Sequence, residues 1–86
     1  MLRTEIETII NSALNTLSIK DETVTLTHPT DLSHGDYATN IALRLANKLK
    51  TSPMELAEKI AKAIPKNELI DRVEVLKPGF INVHLS

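Results

Sequence analysis

One segment constrains the whole chain. Around residues 34–48, HGDYATNIALRLANK, a loop of small and polar residues (Asp31, Ser33, Gly35, Asp36) runs into apolar positions at Ala38, Ile41, Ala42, Leu45 and, just beyond, Leu49. Offsets of 3, 4 and 7 put those side chains on one broad stripe of a helix. Asp36 is the expected N-cap, because its carboxylate can accept the amide hydrogens of the first turn. Gly35 supplies the sharp, positive-φ approach to that cap. Small side chains at Ala38, Ala42 and Ala46 let a second element lie close along the helix, and the remaining chain reads as scaffold around it.

Before this segment, Leu2, Ile6, Ile9, Ile10, Ala13, Leu14 and Leu17 recur at helical spacing, with Arg3, Glu5, Glu7 and Asn11 on the opposite side. Residues 23–28 then alternate: Val24 and Leu26 point one way, Thr23, Thr25 and Thr27 the other. That pattern predicts a half-buried strand of β-branched residues, stopped by Pro29, which cannot donate to a ladder. After the central helix, Ser52-Pro53-Met54-Glu55 is a complete helix start, with serine at the N-cap, proline at N1 and glutamate three residues on. The helix it opens is expected to bury Ala57, Ile60, Ala61 and Ile64 and to end at Pro65, with one further helical turn over 66–69. Residues 71–76 and 80–85 flank Lys77-Pro78-Gly79 and read as a hairpin. The order α-β-α-α-β-β implies a small α+β domain over 1–86: an antiparallel sheet of three or four strands, covered on one face by three helices.

Composition narrows the function. A chain of 86 residues buries roughly 60–65% of its unfolded surface, enough for one modest core. It has no cysteine, hence no disulfide or thiolate metal site, and this fits a cytoplasmic protein. No run approaches the roughly 18 apolar residues of a membrane span, and the N-terminus has no signal-peptide pattern. The formal net charge is −1, so RNA binding would rest on local patches and not on bulk charge. No nucleophile elbow, Gly-rich phosphate loop or pair of catalytic carboxylates is present. A catalytic site and a cofactor are therefore not expected in these residues.

The last strand holds the best candidate site. If Val73 and Val75 face the core, alternation turns Ile81, Val83 and Leu85 inward and Phe80, Asn82 and His84 outward. The single Phe then stands beside an amide, an imidazole and, at the turn, Lys77, a usable platform for an unpaired base. The alternative is that Phe80 packs against a loop or a helix end. A second group, His28, His34 and Asp36, suggests metal or acid–base work, but its spacing matches no standard ligand pattern. A capping Asp36 and two surface histidines are the preferred reading there, with Tyr37 half-buried at the rim. Third, Asn40, Arg44, Asn47 and Lys48 share one exposed helix face that could meet phosphates, or be only a solvated surface.

His34-Gly35-Asp36-Tyr37-Ala38-Thr39-Asn40-Ile41-Ala42-Leu43, the Ser-Pro-x-Glu-Leu-Ala helix start and the closing Pro78-Gly79-Phe80-Ile81-Asn82 resemble, in order and interval, the N-terminal additional domain of arginyl-tRNA synthetase. The resemblance covers nearly the whole chain. It implies a class I parent enzyme that charges tRNA with arginine at the expense of ATP, with this domain docked on the D-loop at the tRNA elbow, away from the active site. It also implies that the family's Asn-x-x-Phe-x-Gln pattern, which contacts an exposed D-loop base, falls on Lys77, Phe80 and Asn82. Phe80 matches, Asn82 is a shorter amide, and Lys77 replaces the asparagine with a cation. His84 on the same face, and more weakly Asn40, Arg44 and Lys48, complete the expected RNA contacts. Gly35, Asp36, Ser52, Pro53 and Gly79 are expected to be structural.

The family's HIGH-type and KMSK-type catalytic signatures are absent. The chain thus reads as an N-terminal tRNA-recognition module of a longer enzyme, monomeric, partnered by an arginine-accepting tRNA and by the catalytic domain of its own chain, which would hold the ATP. Two rivals stand beside it. One is a protein–protein interaction module that pairs through an exposed C-terminal strand. The other, weaker, is a small metal-dependent hydrolase on His28, His34 and Asp36.

Overall fold

A computed structural model describes residues 2–20, 22–29 and 35–86. Within them the chain forms α1 (Leu2–Thr16), β1 (Tyr37–Thr39), α2 (Ile41–Ala46), α3 (Pro53–Ala63), β2 (Ile70–Leu76) and β3 (Phe80–Leu85). The fold is α+β, with a three-stranded antiparallel sheet in the order β1-β3-β2.

The apolar spacing of α1 does what it predicts: Ile6, Ile10, Ala13 and Leu14 are buried. They join Ile41, Ala42 and Leu45 of α2, Leu56, Ala57 and Ile60 of α3, and Ile81 and Val83 of β3 in one core. The α3 start is also as expected. Ser52 Oγ accepts from the Glu55 amide at 3.1 Å, and Pro53 occupies the first helical position. Ile64 leaves the helix in an extended conformation before Pro65, and Ala61 and Ile64 are only half-buried. α3 touches α1, α2, β2 and β3, while β3 touches β1, β2, α2 and α3. These two elements share the centre of the packing, with the 34–48 segment laid against both.

The segment 34–48 departs from a single helix. Residues 37–39 pair with β3, Tyr37 with Val83 and Thr39 with Ile81, and the helix begins only at Ile41. Asp36 is therefore not an N-cap. Its amide donates to the Val83 carbonyl at 2.8 Å, and its carboxylate accepts from the Leu85 amide at 2.8 Å. The side chain thus adds one more rung where the β1 backbone turns away. Asn40 occupies the cap position without a side-chain cap bond, and the Ile41 amide finds the Thr39 hydroxyl at 3.2 Å. Regular helix ends at Ala46, so Leu49 lies 41% exposed beyond the buried stripe.

Residues 22–28 are extended, with Val24 and Leu26 buried as the alternation requires. Only Thr27 joins the sheet, through paired 2.8 Å bonds with Ala38. The segment is held instead by side chains of α2 and the turn after it. Arg44 donates to the Thr23 carbonyl at 3.3 Å, and Lys48 pairs with Glu22 at 2.7 Å. Residues 66–69 do not form a helical turn. Asn67 Oδ1 accepts from the amides of Leu69 and Ile70, both at 2.9 Å, a side chain mimicking a backbone turn on the way into β2.

Candidate nucleic-acid interface

The hairpin register divides the sheet into two faces. Val73 pairs with Val83 and Val75 with Ile81 on the helix side. The other side carries the rows Leu76–Phe80, Glu74–Asn82–Ala38 and Arg72–His84. Strand parity therefore places Phe80, Asn82 and His84 on the face away from the core, as alternation predicts.

These three residues differ in what they offer. Phe80 is 36% exposed and stands outside the core cluster. Asn82 is only 4% exposed, a correction to its expected solvent-facing position. Its row is continued across Ala38 by Thr27, so the outer face is walled around the amide. His84 is half-buried and already engaged: Nε2 lies 2.5 Å from Glu74 Oε1, and Nδ1 lies 3.4 Å from Arg72 Nη2. Lys77 is exposed at the turn. Phe80, Asn82, Lys77 and Leu76 from the hairpin, with Thr27, Pro29 and Ala38, enclose a depression of about 380 Å³.

The position of Phe80 is fixed by the turn before it. Gly79 has φ +153°, and a Cβ there would stand 2.7 Å from Pro53 Cβ. A side chain would thus lift the hairpin tip off the start of α3. Gly79 against Pro53 therefore seats the tip that presents the ring. Gly35 is similarly constrained, with φ +103° and an added Cβ only 2.7 Å from the Val83 carbonyl oxygen.

The remaining candidates are not gathered into this site. Among Asn40, Arg44, Asn47 and Lys48, all exposed, Arg44 and Lys48 clamp the 22–28 segment. In the second group, His28 Nδ1 meets the Asp36 carbonyl at 3.1 Å, and its ring stacks obliquely on Tyr37 at 4.8 Å. Arg3 sits 5.9 Å over the other ring, that of Tyr37. Asp36 is committed to Leu85, and His34 lies outside the described residues. Among the described residues no three His, Asp or Glu side chains are grouped to hold a metal. Strand pairing through the C-terminal strand is also closed, because β3 is the middle strand and is bonded on both sides.

The scaffold is a small α+β domain whose β2–β3 hairpin carries an exposed ring and an exposed cation near a buried amide. The family model for the arginyl tRNA synthetase N terminal domain matches residues 4–85. The chain belongs to that family. An arginine–tRNA ligase of Coxiella burnetii is 42% identical over 99% of this chain and 16% of its own length. The chain thus spans about one sixth of the length of that curated relative. Among solved structures, the arginyl-tRNA synthetase of Thermus thermophilus shares the fold, with a TM-score of 0.88 at 23% identity over 100% of this chain and 14% of that chain. That of Plasmodium falciparum matches with a TM-score of 0.83 at 26% identity, over 98% of this chain and 16% of that chain. No helix among the described residues is long and apolar enough to cross a membrane.

Proposed function

We propose that the chain is the tRNA-contacting domain of a cytoplasmic arginine–tRNA ligase, docking on the D-loop at the tRNA elbow while ATP-dependent arginylation takes place in another domain of the longer protein. The observation that carries this reading is the placement of Phe80. A ring more than a third exposed, outside the core and beside Asn82 and Lys77, offers a face on which an unstacked base can lie. Family membership supplies the RNA partner, and the ligases it matches supply the proposed activity of the whole protein. Lys77 contributes charge toward a phosphate. The domain acts as a monomer: the free edge strand β2 is interrupted by a bulge between Ile70 and Arg72 and carries the charged Arg72 and Glu74, devices that blunt edge pairing.

The test is binding of the 86-residue chain to an arginine-accepting tRNA transcript, intact or with abasic residues in the D-loop. Weakened binding to the abasic transcript is expected, together with a loss of affinity as salt rises from 50 to 200 mM. Equal affinity for both transcripts would refute D-loop contact.

A further inference from the structure

We propose that Arg72 takes a backbone phosphate of the bound RNA at the end of β2 remote from the hairpin turn, aimed there by His84. This rests on the RNA-binding reading above and adds a residue that lies outside the depression around Phe80. A guanidinium can only donate, so the 3.4 Å contact from Arg72 Nη2 makes His84 Nδ1 an acceptor. The ring proton is then on Nε2, where it donates to Glu74 Oε1. Glu74 is thereby engaged by the imidazole and not by Arg72, and among the described residues Arg72 has no ion pair. Two other cations are committed: Lys48 pairs with Glu22, and Arg44 donates to the Thr23 carbonyl. Arg72 is exposed and keeps a charge that no described carboxylate touches.

The imidazole is itself held. A Cβ added to Gly35 would stand 3.3 Å from the ring carbon Cδ2, so His84 rests against the Gly35 backbone with Arg72 and Glu74 on its two nitrogens. The guanidinium at the end of this row is positioned in advance, which suits the planar fork that a phosphate accepts from arginine. Register sets its distance from the ring. His84 and Phe80 are four residues apart on one face of β3, about 13 Å at roughly 3.3 Å per residue. A stacked strand advances about 3.4 Å per phosphate. A chain with a base on Phe80 therefore reaches Arg72 about four nucleotides away, or fewer where it is extended. Lys77 at the turn and Arg72 at the other end bracket the outer face with positive charge. In a chain of net charge −1 this is the local patch that RNA binding requires.

The experiment is a titration of the 15N-labelled 86-residue chain with the arginine-accepting tRNA transcript at several salt concentrations, read by amide shifts so that weak binding is measured. Wild type, Arg72→Gln, Arg72→Lys and Phe80→Ala are compared. One phosphate contact contributes about 0.7 to the slope of log affinity against log salt for a single strand. Arg72→Gln is expected to lower that slope by about 0.7, which is a loss of about fivefold at ~0.1 M salt that vanishes toward ~1 M. Arg72→Lys, which keeps the charge, should keep the slope. Phe80→Ala should weaken binding at every salt concentration without changing it. Lost affinity with an unchanged slope would make Arg72 structural, and unchanged affinity would remove it from the interface. Either result overturns the proposal, and the RNA-binding reading stands if Phe80→Ala is weakened. If Phe80→Ala and Arg72→Gln both bind like wild type, the RNA-binding reading itself fails.

Discussion

Replacing Asp36 by Ala separates the two roles that this carboxylate could play. In the structure it accepts from the Leu85 amide at 2.8 Å, extending the β1–β3 ladder beyond the last backbone pair. A hydrogen bond to a charged acceptor is worth roughly 1.5–3 kcal/mol when buried. Here the bond is exposed, and water can replace the carboxylate, so the expected loss is about 0.5–1.5 kcal/mol. For a domain of this size that corresponds to a fall in Tm of roughly 2–12 °C. Thermal melting gives the magnitude, and amide hydrogen exchange gives the location. Leu85 should lose protection, while the amides of α2 keep theirs, since Thr39 and not Asp36 serves the first turn. Asp36→Asn should fall between wild type and Ala, because its amide oxygen still accepts. Unchanged protection at Leu85, or loss of protection confined to the start of α2, would refute the ladder assignment and restore the capping one.

Two glycine substitutions follow from the same geometry. Gly35→Ala forces a Cβ against the Val83 carbonyl at positive φ, and should cost at least about 2 kcal/mol in a denaturant titration. Gly79→Ala should cost about 1–3 kcal/mol and shift the Phe80 amide resonance, because the hairpin tip must leave Pro53; an unshifted Phe80 would show that this contact does not set the ring.

The long-period elements were legible because their side chains report their own burial. α1 and α3 each show several apolar positions on one face, and Ser52-Pro53 marks a start that needs no tertiary information. The hairpin was legible for a related reason: two alternating runs around Pro78-Gly79 define each other's register, and parity placed Phe80 on the outer face. The middle of the chain was not. A three-residue strand such as Tyr37–Thr39 has no visible period, and Ala38 fits the helical stripe of Ile41, Ala42 and Leu45 equally well. Asp36 before an apolar run imitates a cap, and only the arrival of β3 from 49 residues away gives its carboxylate a different donor. Residues 22–28 show the converse case. Their alternation correctly reports that Val24 and Leu26 are buried, but burial on one side does not require a strand partner, and only Thr27 has one. The depth of Asn82 was hidden for the same reason, because its walls come from Thr27 and Ala38, segments that local pattern does not place beside β3.

The central claim is that Phe80 binds RNA and does not support the fold, and the direct measurement is the affinity of Phe80→Ala for an arginine-accepting tRNA alongside its melting temperature. Stacking of a base on an aromatic is worth about 1–3 kcal/mol, which is roughly a five- to hundredfold loss of affinity. Phe80→Tyr, which keeps the ring face, should retain most of the binding. A ring 36% exposed and outside the core should cost clearly less stability than the roughly 3–5 kcal/mol of a buried Phe. Weakened binding with a nearly unchanged melt is the predicted result. Unchanged affinity, or a melting temperature lowered as far as for a core truncation, would contradict it.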